Sequence, residues 1–168
     1  MKERMIQVTC PHCGHVFEIK RDTFVIARMN SVIDQRLEDG TYFTHVCQKC
    51  FNPFYLLHPF MYRDPIKKYI IILSNQKEFT NLPPNEKVIR TRNAKQFLLA
   101  YKVYSRQLNL KFVLAKLNQM KNKYQCNVEF MDYDDDNHCL WFKIRDEQVA
   151  LILKEYEIEN VYDNIDTR

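Results

Sequence analysis

Glycine is almost absent from this sequence, with Gly14 and Gly40 the only two among 168 residues. Phosphate-binding loops of the common nucleotide-binding patterns need several closely spaced glycines, because the backbone must come close to the phosphate. The composition therefore argues against nucleotide-dependent enzymes built on such loops.

Long apolar runs are missing too. No stretch approaches the roughly 18 apolar residues that a membrane-spanning helix requires. Residues 1–5 are followed by Ile6-Gln7-Val8-Thr9-Cys10 rather than by the apolar core of a signal peptide. We therefore expect a cytoplasmic protein that does not associate with membranes.

What the chain does contain is enough apolar material for a core. Hydrophobic residues make up 46% of the sequence and aromatic residues 13%, beside 27% charged residues. This composition is typical of a globular protein rather than a disordered one. A chain of 168 residues allows one ordinary domain or two small ones.

The net charge of +4 is distributed unevenly. Residues 1–80 carry 11 basic and 8 acidic side chains, residues 81–125 carry 10 and 1, and residues 126–168 carry 4 and 12. The interpretation we favour is that a basic helical segment lies against an acidic segment of the same domain, so that their fields largely cancel. The alternative is a basic surface for nucleic acid, because clustered Lys and Arg drive phosphate binding.

The nucleic-acid hypothesis uses the basic helices expected within residues 93–123 and an aromatic and basic turn at residues 63–68. Its candidate residues are Lys95, Lys102, Arg106, Lys111, Lys116, Arg63, Lys67 and Lys68.

The pattern of apolar residues predicts an α+β protein in two parts. Residues 1–73 indicate short strands around two cysteine pairs, with a helix over Ser31–Asp39 that ends at Gly40. Residues 74–87 are polar and contain Pro83-Pro84, which indicates a linker. Residues 88–168 predict two helices, a hairpin from strands near 128–131 and 140–144, and a last helix over Asp146–Lys154.

Four of the six cysteines form two Cys-x-x-Cys pairs, Cys10 with Cys13 and Cys47 with Cys50, with 33 residues between the pairs. Each such turn directs two thiolates at one point, and two turns supply the four sulfurs of a tetrahedral Zn²⁺ site. Because four thiolates complete the shell and leave no position for a reactive water, we expect one structural zinc and no catalysis there. The first part should therefore be a zinc-ribbon-like β domain with two knuckles.

The two knuckles differ in the residue that follows the second cysteine. Gly14 follows Cys13 and permits a positive φ, which turns backbone N–H groups toward sulfur. Phe51 follows Cys50 and disfavours positive φ. We therefore expect Asn52 to take the left-handed conformation instead, and the second knuckle to be less regular.

A thiol oxidoreductase is the competing interpretation, because Cys10-Pro11-His12-Cys13 is also an active-site sequence of strong thiol oxidants in the thioredoxin superfamily. In those enzymes the first cysteine lies at a helix N-terminus, which lowers its pKa. Here the residues after Cys13 indicate a turn and a strand, and the second cysteine pair would have no role.

The first 73 residues combine Cys10-Pro11-His12-Cys13-Gly14, the helix-Gly-aromatic segment 36–43, the pair Cys47 and Cys50, and segment 61–65 followed by 67–71. With this combination the chain resembles the CpXC-domain proteins of bacteria, over about residues 5–73 and more weakly in the helices beyond. The resemblance implies zinc bound by the four cysteines. It implies no activity, because the role of that family is not established. The second knuckle here lacks the Pro and Gly usual in the family.

The function that follows is a non-catalytic, zinc-stabilised interaction module with a protein partner. Nucleic acid is the alternative partner, and a redox enzyme based on Cys10 is the third hypothesis.

Overall fold

The computed structural model describes residues 2–74 and 81–163. Within them the chain forms ten strands and four helices, which confirms the expected α+β class. In chain order these are β1 (Lys2–Thr9), β2 (Val16–Ile26), α1 (Ser31–Glu38), β3 (Thr44–Val46), β4 (Pro53–Tyr55), β5 (Phe60–Asp64), β6 (Tyr69–Leu73), β7 (Lys87–Thr91), α2 (Ala94–Ser105), α3 (Leu110–Tyr124), β8 (Val128–Asp134), β9 (Cys139–Ile144), β10 (Glu147–Ile152) and α4 (Glu155–Ile158). Two compact units, Met1–Tyr101 and Lys102–Arg168, divide the chain.

The first unit is built on a five-stranded mixed sheet of order β1-β2-β5-β6-β7. The pairs β1/β2 and β5/β6 are antiparallel, whereas β2/β5 and β6/β7 are parallel. The connection from β2 to β5 contains α1 and a separate two-stranded hairpin of β3 and β4. The two cysteine pairs lie at the tips of two different hairpins, β1–β2 and β3–β4.

The core of the first unit lies around β6, whose five residues are all buried. A continuous apolar run of this kind is typical of a central strand that is covered on both faces. Beside it, the rings of Phe43, Phe60 and Phe97 pack with centroids 5.2 to 6.1 Å apart. These aromatic contacts bring together the segment before β3, strand β5 and helix α2.

Helix α1 confirms the prediction for residues 31–39. The Asn30 side chain caps its first turn by accepting hydrogen bonds from the backbone N–H groups of Val32 and Ile33. Gly40 has φ +80° just after the helix, where a left-handed residue ends the helical hydrogen bonding.

The two units do not divide at the expected linker. Strand β7 begins at Lys87 and pairs with β6, so the chain returns to the first sheet, and the compact units divide after Tyr101. Of the expected linker 74–87, residues 75–80 lie outside the described residues. Proline and polar residues indicate a loop, but they do not indicate which sheet the next strand joins.

The second unit contains an antiparallel sheet of order β10-β9-β8 and helix α3, whose buried residues are Val113, Leu117 and Met120. The predicted hairpin is confirmed as β8 and β9. The predicted helix over Asp146–Lys154 is wrong, because residues 147–152 form β10 and pair with β9. Arg145 and Asp146 both have positive φ, which forms a tight hairpin turn without glycine.

An ion pair between the buried Asp64 carboxylate and the exposed Arg28 guanidinium joins the end of β5 to the segment after β2. The Asp64 side chain, 2% exposed, accepts two hydrogen bonds from the Arg28 guanidinium at 2.7 and 2.8 Å. It also accepts from the backbone N–H groups of Ile66 and Lys67. Burial by itself would raise the pKa of Asp64, but these hydrogen bonds hold it below the ordinary value of 3.8.

Asp64→Asn should lower the free energy of unfolding by about 2 kcal/mol at neutral pH, because Arg28 loses its charged partner. Since the pKa of Asp64 is depressed in the folded state, this stabilisation is present above pH 4 or so and is lost as the pH falls through the folded-state pKa. Urea unfolding of both proteins from pH 7 to 3 should therefore show a difference that shrinks with acidification. The matched control, Glu3→Gln, breaks the exposed pair with Lys20 and should cost less than about 0.5 kcal/mol. A difference that persists unchanged at pH 3 would contradict this account.

Candidate metal centre

The tips of the β1–β2 and β3–β4 hairpins bring four sulfur atoms together. The Sγ atoms of Cys10, Cys13, Cys47 and Cys50 all lie within 4.8 Å of one another. Two of these distances, Cys10 to Cys50 and Cys13 to Cys47, are 3.7 Å each and run from one hairpin to the other. In a tetrahedron with metal–sulfur bonds of 2.3 Å, the sulfurs are about 3.8 Å apart. The donor set and its spacing therefore fit a single tetrahedral metal ion.

The two knuckles have the same backbone hydrogen bonds. In each, the first cysteine donates its N–H to the carbonyl five residues later, and its own carbonyl accepts from the residue after the second cysteine. The bonds are Cys10 N to His15 O (2.8 Å), Gly14 N to Cys10 O (2.9 Å), Cys47 N to Asn52 O (3.1 Å) and Phe51 N to Cys47 O (2.9 Å).

The expected irregularity of the second knuckle is wrong. Phe51 itself takes the left-handed conformation at φ +62°, the position that Gly14 occupies at φ +75° in the first knuckle. A positive φ at this residue turns the chain that follows it, so that the carbonyl of the next residue can accept the N–H of the first cysteine. Phe51 is 76% exposed, so its side chain points into solvent while the backbone carries the conformational cost.

The four thiols differ in exposure and in acidity. Cys10 and Cys47 are buried, whereas Cys13 is exposed. The backbone N–H of Asn52 lowers the pKa of Cys50 to about 6, and that of Cys50 lowers the pKa of Cys47. At Cys13 the His15 N–H favours the thiolate, but desolvation and the neighbouring thiols raise the pKa to about 11. Four thiolates this close repel one another, so a bound cation is what would hold all four ionised.

Few other contacts join the two hairpins near the cluster. His12 Nε2 donates to the Pro53 carbonyl at 3.2 Å. The ring of Phe17 stacks on His45 with centroids 5.2 Å apart and meets Phe54 edge-on. The ring of the nearby His15 stacks on Phe17 with centroids 5.7 Å apart, so both His12 and His15 have contacts of their own, and four sulfurs complete the site without them.

The setting of Cys10 differs from that of a thioredoxin-type nucleophile. Those cysteines are accessible and lie at a helix N-terminus. Cys10 instead directly follows strand β1, is 1% exposed, and precedes a turn that leads into β2.

The basic candidates for nucleic-acid binding are in part engaged with carboxylates. In the second unit, Lys102 pairs with Glu129, Arg106 with Asp132, and Lys116 with Glu157. In the first unit, Arg63 pairs with Glu86. Lys68, Lys95 and Lys111 are exposed, and Lys67 is half-buried. Three of the four partners come from the acidic segment 126–168, which supports the favoured interpretation of the charge pattern.

Fold and site together define an α+β protein organised around a four-cysteine cluster that could hold a metal ion. The family model described as "CpXC protein" matches residues 8–136, most of the chain and both cysteine pairs. The chain belongs to the CpXC family. Searches of curated proteins and of solved structures found no match. Within residues 2–74 and 81–163, no helix is long and apolar enough to cross a membrane.

The residue after each cysteine pair provides a matched test of the knuckle geometry. Phe51→Gly should raise the free energy of unfolding by about 0.5 to 1 kcal/mol, because glycine adopts the left-handed conformation without the Cβ penalty. Gly14→Ala should lower it by about 1 kcal/mol through conformation alone, because no atom lies within 4 Å of the added Cβ. Urea unfolding of the metal-loaded proteins measures both values. Changes of the same sign in the two variants would contradict the shared geometry.

Proposed function

We propose that this chain is a zinc-binding protein in which one Zn²⁺, held by Cys10, Cys13, Cys47 and Cys50, has a structural role, and that it acts as a protein-interaction module. The observation that carries the proposal is the gathering of four sulfurs at tetrahedral spacing by two hairpins with the same turn geometry. Tetrahedral sites with four sulfur ligands are typical of zinc or iron, and structural zinc sites have this closed shell.

A metal at this position would supply stability that the second hairpin lacks. Strands β3 and β4 have three residues each, and a two-stranded hairpin of that size is marginal in water by itself. Because the unfolded chain does not preform such a site, the binding free energy of the metal becomes folding free energy. Four thiolate ligands leave no coordination position for a substrate or a reactive water, so we assign the site no catalytic step.

The second hairpin also supports a protein partner. Phe51 and Tyr55 are exposed there, as is Val46 of β3. Exposed aromatic side chains on a fixed backbone are enriched at the centres of protein interfaces. The metal would then hold this apolar surface in a defined shape.

Native mass spectrometry of protein purified without added metal, together with a thiol titration in denaturant and chelator, tests the metal site. We expect one Zn²⁺ per chain and six titratable thiols. Cys13→Ser and Cys50→Ser should bind the metal at least about tenfold more weakly, because each removes one thiolate ligand. Cys126→Ser is the matched control, because Cys126 lies outside the cluster, and it should keep full occupancy.

Two outcomes would overturn the zinc assignment. Protein that carries iron would keep the site but change its metal. Metal-free protein with a disulfide between Cys10 and Cys13 would make a thiol oxidoreductase the leading hypothesis.

Nucleic acid remains the alternative partner, and the ion pairs at Lys102, Arg106 and Lys116 weigh against it. Fluorescence anisotropy with labelled duplex DNA and single-stranded RNA at low salt should show no saturable binding. Affinity that falls steeply with salt and drops with Lys111→Ala or Lys95→Ala would instead support the alternative, because phosphate contacts release counterions.

A further inference from the structure

Strand β10 (Glu147–Ile152) is an unprotected edge of the sheet in the second unit. In the part of the chain that the structure describes, it pairs with β9 on one side and with no strand on the other. Gln148, Ala150 and Ile152 are exposed, the last of them by 75%. Natural edge strands are usually blunted by lysine, proline or a bulge. Residues 148–153 contain neither charge nor proline, so this edge can accept another strand.

The pairing with β9 determines which backbone groups face the open side. Leu153 donates its N–H to the His138 carbonyl, one residue beyond the last pair of the two strands, Ile152 with Cys139. Residues of an antiparallel ladder alternate in the side to which both backbone groups point. The odd-numbered residues therefore face β9. The N–H and C=O groups of Gln148, Ala150 and Ile152 face outward.

These outward groups are complementary to a second copy of the same strand. An antiparallel pairing centred on Ala150 sets Gln148 opposite Ile152 of the partner subunit and aligns every outward group, which gives about six main-chain hydrogen bonds. On the other face of the sheet, the half-buried Val149 comes opposite Leu151 of the partner subunit. Apolar cross-strand pairs of this kind stabilise a sheet.

The charges at the two ends of the strand favour the same register. With Ala150 at the centre, the turn residues Arg145 and Asp146, which precede the strand, come to the same end of the pairing as Lys154 of the partner subunit and Glu155 of the partner subunit, which follow it. The two-fold symmetry produces this arrangement of opposite charges at both ends. A shift by one residue would align outward groups with inward ones, and a shift by two would leave one outward residue of each strand without a partner residue of β10. The register centred on Ala150 therefore pairs the largest number of outward groups.

We propose that two copies of this chain associate through antiparallel pairing of β10, which joins their three-stranded sheets into one sheet of six strands. The strand lies beyond residue 136, where the match to the CpXC family ends. The proposal is independent of the metal site in the first unit.

Sedimentation velocity of the full metal-loaded chain, from about 1 to 200 µM, should show a concentration-dependent monomer–dimer equilibrium. Ala150→Pro should weaken dimerisation by about tenfold or more, because it removes the outward N–H at the centre of the interface. That N–H makes no bond to β9, so the sheet of the single chain should remain intact. Circular dichroism and metal content, unchanged from the parent protein, confirm that the variant folds.

A charge variant with a conservative control tests the register without touching the backbone. Lys154→Glu should weaken the dimer, because it brings a carboxylate to the end of the pairing where Asp146 of the partner subunit lies. Lys154→Arg should leave the dimer unchanged. Ile66→Lys is a further control, because Ile66 of the first unit is as exposed as Ile152 of β10 but lies outside the proposed interface. It should have no effect on dimerisation.

Cross-linking identifies the contact directly. A mixture of ¹⁵N-labelled and unlabelled chains, treated with a carbodiimide, should give mixed-isotope peptides that join Asp146 to Lys154. A monomer throughout the concentration range would overturn the proposal. A dimer that Ala150→Pro does not weaken, with cross-links elsewhere, would overturn it as well.

Discussion

The first unit depends on one electrostatic constraint, the close approach of four thiols from two separate hairpins. Sulfurs within 4.8 Å of one another cannot all ionise unless a cation compensates their charge. Each hairpin tip supplies two of the four sulfurs, so an ion at the centre would join β1–β2 to β3–β4. The remaining contacts between the two tips, such as His12 with Pro53 and Phe17 with His45, are few.

The rest of the first unit places these two tips. The register of β1 and β2 defines the first turn, because the last pair, Thr9 with Val16, directly flanks the knuckle that contains Cys10 and Cys13. Helix α1 and the aromatic cluster around Phe43 and Phe60 determine where the second hairpin begins. The Arg28–Asp64 pair joins the segment after β2 to the end of β5 across this insertion, so an ion pair with a buried carboxylate closes the crossover that contains the second knuckle.

Charge has a different role in the second unit. The basic residues of α2 and α3 lie against carboxylates of the acidic segment, including Glu129, Asp132 and Glu157. A sequence with a strongly basic block followed by an acidic one is thereby neutralised within the fold. A run of basic residues in a sequence predicts a basic surface only when the acidic residues of the same chain do not lie against it in the fold.

The sequence by itself determined the features that arise from local chemistry. The spacing of the cysteines, the cap and stop signals around α1 and the alternation in β8 and β9 predicted the sulfur cluster, the helix and the hairpin. Tertiary structure decided the rest. Phe51 is left-handed because the chain after it must turn for the Asn52 carbonyl to accept the Cys47 N–H, although the residue disfavours that conformation. Residues 147–152 form a strand rather than a helix because β9 supplies a ladder that local propensity does not reveal. The return of β7 to the first sheet likewise depends on pairing with β6, a partner that no local pattern identifies.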